Sequence, residues 1–222
     1  MYYWGVQSPL RLEEFVDKLG QPFSEMLGID LKSRRKEEIT KWLLASILYG
    51  KPIRESSATA TYRVFEENGV LTSVKVIETG WDGLVALLDE GGYTRYDFST
   101  ADRLLEIFGN LEKGYAGDLN RLYASATHEE DLENKLKDLG RGIGDTTVSI
   151  FLREMRVAWT KARPHPSPLV KMAMQELQIK NLDEFAKENG LDIVRLETAL
   201  LRLGKNFLKK GKHLEIDVKR IK

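Results

Sequence analysis

The sequence contains no cysteine and only three histidines. The absence of cysteine excludes disulfides, thiolate metal sites and an iron–sulfur cluster. Three scattered histidines without thiolates also argue against a catalytic metal site. No apolar run approaches the roughly 20 residues that a membrane helix needs, and the first residues lack the basic and apolar regions of a signal peptide. These absences predict a cytoplasmic or nucleoid-associated protein that does not contact a membrane.

The charges are balanced overall but unevenly distributed. The chain has 34 Lys and Arg against 34 Asp and Glu. Residues 1–135 hold 16 basic and 23 acidic residues, a balance of −7, whereas residues 136–222 hold 18 and 11, a balance of +7. A basic half is typical of proteins that bind nucleic acid. The alternative is a solvated surface whose charge gradient has no function.

Helical periodicity runs through most of the 222 residues, which suffice for one large or two small domains. Helices are predicted over 10–19, 37–48, 54–68, 74–79, 81–89, 100–111, 119–124, 129–139, 148–159, 169–177, 182–188 and 193–203. Ser167 is predicted to cap the helix 169–177, with Pro168 at its first position. Residues 213–218 alternate and predict a short strand or arm, and Tyr2, Tyr3 and Trp4 predict a packed terminus. The predicted fold class is all-α.

The strongest functional signal lies at residues 136–153, where two predicted helices meet at alternate glycines. Glycine permits tight turns and close backbone approach. A turn that feeds a helix start leaves backbone N–H groups available to an anion, and basic residues flank this one. The predicted contact residues are Lys137, Gly140, Arg141, Gly142, Ile143, Gly144, Asp145, Thr146 and Thr147. Chemistry alone predicts a helix–turn–helix that holds a phosphate; the alternative is a plain helical hairpin whose glycines serve packing.

The sequence Leu-Gly-Arg-Gly-Ile-Gly-Asp-Thr-Thr-Val at 139–148 resembles the helix-hairpin-helix of DNA glycosylases in the endonuclease III superfamily. In that family a hydrophobic-x-Gly-hydrophobic-Gly turn and a following Thr bind one DNA strand through its phosphates. The resemblance covers roughly residues 38–175. Residues 42–48 are similar to the family's buried early helix, and 90–93 followed by 100–105 are similar to its Gly-hydrophobic-Tyr segment and the next helix.

The resemblance implies two helical subdomains with a cleft between them. One is a six-helix bundle over 35–150 that ends in the hairpin, and the other combines 1–34 with 151–222. It implies a monomeric N-glycosylase of base excision repair, which flips a damaged or deaminated base from double-stranded DNA into the cleft. A monovalent cation among the turn carbonyls would be the one added ligand. Leu48 and Tyr49 would form the wedge and pocket wall, and Tyr93 would stack on the base; core packing is the alternative for Leu48 and Tyr93.

Three departures from the family pattern bear on the chemistry. The place of the lyase-type Lys is taken by Thr146, and a Schiff base needs an amine, so no AP-lyase step is expected. The place of the catalytic Asp is taken by Ser167, which orients water but carries no charge. The cysteines of the cluster-binding members are absent.

His165 is the candidate for the missing acid–base chemistry, with a loop histidine of no role as the alternative. Two other functions therefore compete with the glycosylase. One is a non-catalytic protein of the same fold that binds DNA lesions or distorted duplexes. The other is a helical interaction module unrelated to DNA.

Overall fold

We describe the protein from a computed structural model, which describes residues 9–217. The predicted packing of Tyr2, Tyr3 and Trp4, and the last basic residues Lys219, Arg220 and Lys222, lie outside these residues. The described chain is mostly helical, which confirms the all-α class. Over 9–217, no helix combines the length and the apolar character that crossing a bilayer requires.

The α-helices are α1 Leu12–Leu19, α2 Phe23–Leu27, α3 Lys36–Tyr49, α4 Glu55–Glu67, α5 Ser73–Glu90, α6 Asp97–Tyr115, α7 Leu119–Ser125, α8 Glu129–Lys137, α9 Asp145–Met155, α10 Pro168–Glu176, α11 Leu182–Glu188 and α12 Ile193–Asn206. Short 3-10 helices lie at Leu31–Ser33 and Leu208–Lys210. Strands β1 (Leu10–Arg11) and β2 (Ile216–Asp217) pair in parallel, with Leu10 opposite Ile216.

Most predicted helices are confirmed within a few residues, and the exceptions have local causes. Helix α1 begins at Leu12 rather than Leu10, because Leu10 and Arg11 pair with β2. Helix α5 joins the two predicted helices 74–79 and 81–89, but Gly80 between them has φ 68° and ψ 177°, which is not helical. A glycine adopts this conformation without the steric cost that a side chain imposes. Helix α2 was not predicted.

The chain divides into two compact units, one formed by 27–164 and the other by 1–26 with 165–222. The boundaries differ from the predicted 35 and 150. Helix α9 continues to Met155, and the segment beyond it packs on the same unit. The Trp159 ring stacks on Tyr123 at 4.8 Å between centroids, and the Lys161 ammonium donates to the carbonyls of Tyr123 and Ala126.

The core of unit 27–164 forms around α3, which is buried on most sides as its apolar sequence predicts. The Trp42 indole N–H donates to the Phe151 carbonyl at 3.0 Å, which joins α3 to α9. The Tyr93 hydroxyl donates to the Leu48 carbonyl at 2.7 Å. Buried hydrogen bonds of this kind satisfy polar atoms that would otherwise destabilise the core. These two bonds tie α3 to the middle of α9 and to the segment that follows α5.

The other unit has its own core, built from α1, α10 and α12. Its buried residues include Phe15, Val16, Val170, Ala173, Leu196, Ala199, Leu200 and Leu203. Gly204 permits a close helix approach, since a Cβ there would lie 2.3 Å from the Leu169 carbonyl oxygen. The Arg202 guanidinium donates to the carbonyls of Leu19 and Gln21. The two ends of the described chain thus form one unit.

Candidate nucleic-acid interface

Residues 138–144 connect α8 to α9, and we call this segment the glycine turn. Gly142 has φ 110°, a conformation that residues with side chains rarely adopt. A Cβ at Gly142 would lie 2.7 Å from Cδ of Arg103. Gly144 has φ −99°, and a Cβ there would meet nothing within 4 Å. The two glycines therefore differ: backbone conformation and packing require Gly142, whereas Gly144 leaves open space.

Helix α6 supports the glycine turn from one side. Arg103, Glu106, Ile107 and Asn110 follow the spacing of one helical face. The Asn110 amide donates to the Leu139 carbonyl at 2.9 Å, and a Cβ at Gly140 would lie 3.0 Å from Ile107. These contacts hold the turn against α6.

Two side chains of the turn region are buried and anchor it. Ile143 is 5% exposed and Thr147 is 3% exposed. The Thr147 hydroxyl donates to the Gly142 carbonyl at 3.2 Å. A Cβ at Gly50, directly after α3, would lie 2.4 Å from the Thr147 hydroxyl oxygen. The end of α3 therefore sits close against the first turn of α9.

The start of α9 offers unsatisfied backbone donors. Gly144 occupies the N-cap position and has no side chain to accept from the first N–H groups of the helix. Among residues 9–217, no acceptor is present for the N–H groups of Asp145, Thr146 and Thr147. Such a helix start favours a negatively charged ligand through its free donors and the helix dipole.

A surface pocket of about 600 Å³ opens at this point. It is lined by Gly50, Arg103, Lys137, Gly140, Arg141, Gly142, Ile143, Gly144, Asp145, Thr146 and Thr147. All nine residues that the sequence predicts as DNA contacts thus line one pocket. Gly50 and Arg103 complete it and were not predicted.

Two of the cations at the pocket have carboxylate partners within the protein. The Lys137 ammonium lies 2.7 Å from the Asp145 carboxylate, across the two ends of the glycine turn. This hydrogen-bonded ion pair raises the pKa of Lys137 and lowers the pKa of Asp145. The Arg141 guanidinium lies 3.2 Å from Glu106 on α6, with its side chain 85% exposed. Both pairs are exposed to solvent, where an ion pair contributes little stability. An anion that binds the cation more tightly can therefore displace either carboxylate.

No protein-family model matches the chain, and no curated protein or solved structure matches it significantly.

The residues predicted as wedge and base pocket lie in different surroundings. Leu48 is 0% exposed and Tyr93 is 1% exposed. Burial raises the pKa of Tyr93, whose hydroxyl is bound to the Leu48 carbonyl. Both residues therefore lie in the core, which agrees with core packing and not with a wedge or a stacking surface. Tyr49 is half-buried, with its hydroxyl 2.7 Å from that of Thr59.

Ser167 and His165 belong to the other unit. Ser167 is the N-cap of α10 with Pro168 at its first turn, as predicted, and its Oγ accepts from the Val170 N–H at 3.4 Å. His165 is exposed and forms no hydrogen bond or ion pair with any residue in 9–217. Because the Ser167 oxygen accepts the hydrogen bond from Val170, its own O–H can still donate to another group. No residue in 9–217 binds a ring nitrogen of His165.

The lysines that could replace an absent lyase amine differ in their surroundings. The Lys161 ammonium donates to two carbonyls and lies 4.3 Å from the centroid of the Tyr123 ring. These contacts hold the Lys161 amine within the unit 27–164. Lys171 is exposed on α10. In the described part of the chain, no group of three His, Asp or Glu residues could hold a metal ion.

Arg103 is the functional candidate that the sequence alone does not reveal. Its signal is the polar stripe Arg103, Glu106 and Asn110 on one face of α6. The stripe points to a site only in the structure, where the glycine turn packs against these residues.

Proposed function

We propose that this protein binds double-stranded DNA through the pocket at the glycine turn, which holds a backbone phosphate. The observation that carries this proposal is that nine predicted contact residues line one pocket at a helix start with free N–H donors. Phosphate contacts position a protein on DNA without reading its sequence. Binding is therefore expected to be insensitive to sequence and to weaken with salt.

We further propose that α8, the glycine turn and α9 form a helix-hairpin-helix, and that the chain is a monofunctional DNA N-glycosylase of base excision repair. Support comes from the resemblance to the endonuclease III superfamily and from Thr146, which offers no amine for an AP-lyase step. Water would attack the sugar carbon and release the base, leaving an abasic site. Ser167 and His165 are the candidates to hold that water, and a labile damaged or deaminated base would compensate for the missing carboxylate.

The proposal extends to the ligand state and location of the protein. A monovalent cation at the glycine turn would share carbonyls that already accept protein hydrogen bonds, namely Leu139 from Asn110 and Gly142 from Thr147. No iron–sulfur cluster is proposed, because the chain has no cysteine. We also propose that the protein is a monomer and that it acts in the cytoplasm or at the nucleoid.

The second candidate is a non-catalytic protein of the same fold that binds DNA lesions or distorted duplexes. The observation that favours it is the uncharged Ser167 at the start of α10. A cationic transition state gains nothing from a neutral hydroxyl at the positive end of a helix dipole.

A paired binding and excision experiment tests both candidates. Fluorescent duplexes with alkylated, oxidised or deaminated bases are incubated with the protein, and released base and retained duplex are measured together. Excision of at least one lesion supports the glycosylase, whereas tighter binding to lesions without excision supports the second candidate.

The variant that tests binding at this pocket is Gly144→Trp. It places a bulky side chain in the open space beside Gly144, where the backbone does not have a positive φ. It should weaken duplex binding several-fold while the thermal transition stays near that of the wild type. Equal duplex binding by Gly144→Trp and wild type would refute DNA binding at this pocket.

A further inference from the structure

Three cations line the pocket, and they differ in their partners. Lys137 is paired with Asp145, and Arg141 is paired with Glu106. Within the span 9–217, no ion pair and no hydrogen bond involves the Arg103 guanidinium. The Arg103 side chain is half-buried at the pocket. A guanidinium without a protein partner is available to an external anion.

Packing against Gly142 holds the stem of Arg103 in place. A Cβ at Gly142 would lie 2.7, 3.3 and 3.5 Å from Cδ, Cγ and Cβ of Arg103. All three carbons of the stem thus lie against the glycine backbone, and the guanidinium begins one atom beyond Cδ. Because the stem is ordered by the turn that forms the pocket, the guanidinium loses less conformational entropy when it binds a ligand.

We infer that Arg103 binds a backbone phosphodiester of the DNA strand that contacts the glycine turn. The inference rests on the proposed DNA binding and adds a residue from α6 to it. A guanidinium offers two parallel N–H donors to one phosphate, which a lysine cannot do. Arg103 would bind without first breaking an internal ion pair, unlike Lys137 and Arg141.

The test variant is Arg103→Gln, because glutamine keeps Cβ, Cγ and Cδ against Gly142 and removes the charge. Arg103→Lys keeps the charge and loses the two-donor geometry. Arg121→Gln, on α7 and exposed outside the pocket, is the matched control. Binding of each protein to a labelled duplex of about 20 base pairs is followed by fluorescence anisotropy at several salt concentrations.

Loss of one charge-assisted phosphate contact should weaken binding by Arg103→Gln roughly tenfold. The slope of log affinity against log salt should fall by about one unit. Arg103→Lys should retain the slope with weaker binding, and Arg121→Gln should match the wild type. An unchanged slope in Arg103→Gln would overturn the inference.

A second measurement separates a phosphate contact from a structural role. Single uncharged methylphosphonates are placed along one strand of the duplex. At one position the substitution should weaken wild-type binding but leave binding by Arg103→Gln unchanged, because the contact is already absent. Additive losses at every position would assign Arg103 a structural role only.

The outcomes also distinguish this inference from the function on which it rests. If Gly144→Trp weakens binding and Arg103→Gln does not, DNA binding at the pocket stands and the role of Arg103 is refuted. If the wild type binds no duplex, both are refuted.

Discussion

Gly142 and Gly144 stand two residues apart in the glycine turn, yet alanine should affect them differently. At Gly142 an alanine would have to adopt φ 110° and place its Cβ 2.7 Å from Cδ of Arg103. At Gly144 the backbone is extended, with φ −99° and ψ −175°, and nothing lies within 4 Å of an added Cβ. The pair thus provides a perturbation and its control within one turn.

The expected magnitudes follow from these conformations. Strain at a positive φ costs about 1–3 kcal/mol, and the lower entropy of the unfolded alanine chain offsets roughly 0.4–1 kcal/mol of it. The contact with Arg103 requires its stem to shift away from the turn, at a cost within the same range. Gly142→Ala should therefore lower the free energy of unfolding by about 1–2 kcal/mol. Gly144→Ala should stay within about 1 kcal/mol of the wild type, since its cost is that of a poorer N-cap.

Urea unfolding followed by tryptophan fluorescence measures this difference. Trp42, Trp81 and Trp159 all belong to the unit 27–164 that contains the turn, so the signal reports mainly on that unit. Gly142→Ala in an Arg103→Ala background separates the side-chain contact from the backbone strain. Equal destabilisation by Gly142→Ala and Gly144→Ala would refute the assignment of conformational strain to Gly142.

Three further predictions concern the pocket and the proposed chemistry. Asp145→Asn should tighten duplex binding, because it removes a carboxylate at the pocket and frees Lys137 for phosphate. Anisotropy at low salt measures this change, and weaker binding would show that the ion pair is needed to shape the site. Borohydride should trap no covalent DNA complex, because Thr146 supplies no amine, and efficient trapping would reveal another nucleophilic lysine. Ser167→Ala should lower the free energy of unfolding by about 1 kcal/mol, because it removes the cap of α10. Ser167→Asp should keep the cap and, under the glycosylase proposal, excise the base faster in single-turnover assays.

Local sequence signals predicted much of the fold, because helices begin and end through short-range chemistry. Ser167 and Pro168 marked the start of α10, and Gly80 marked the break in α5, since both effects act within one or two residues. The β1 segment at Leu10 was predicted as helix because its partner, Ile216, lies about two hundred residues away in the sequence. The pairing of Leu10 with Ile216 replaces helix at this position, although the local pattern correctly predicts the two helical turns from Leu12 to Leu19.

The site shows the same division between local and distant information. Eight of the nine predicted contact residues are consecutive, at 140–147, and Lys137 lies three residues before them, so a local pattern was sufficient to group the residues that line the pocket. Arg103 lies on α6 and reaches the pocket only because Gly142 has no side chain. Leu48 and Tyr93 had two interpretations, a base contact by analogy and core packing, and their burial and hydrogen bond agree with core packing.

The unit formed from both ends of the chain has a consequence for the order of folding. Helix α1 shares a core with α10 and α12, and β1 pairs with β2, so these elements need partners that are synthesised after residues 27–164. Residues 27–164 can complete their own core as soon as they leave the ribosome, whereas α1 must wait with an apolar face uncovered. During synthesis the pocket at the glycine turn can therefore form before the unit that contains α1, α10 and α12.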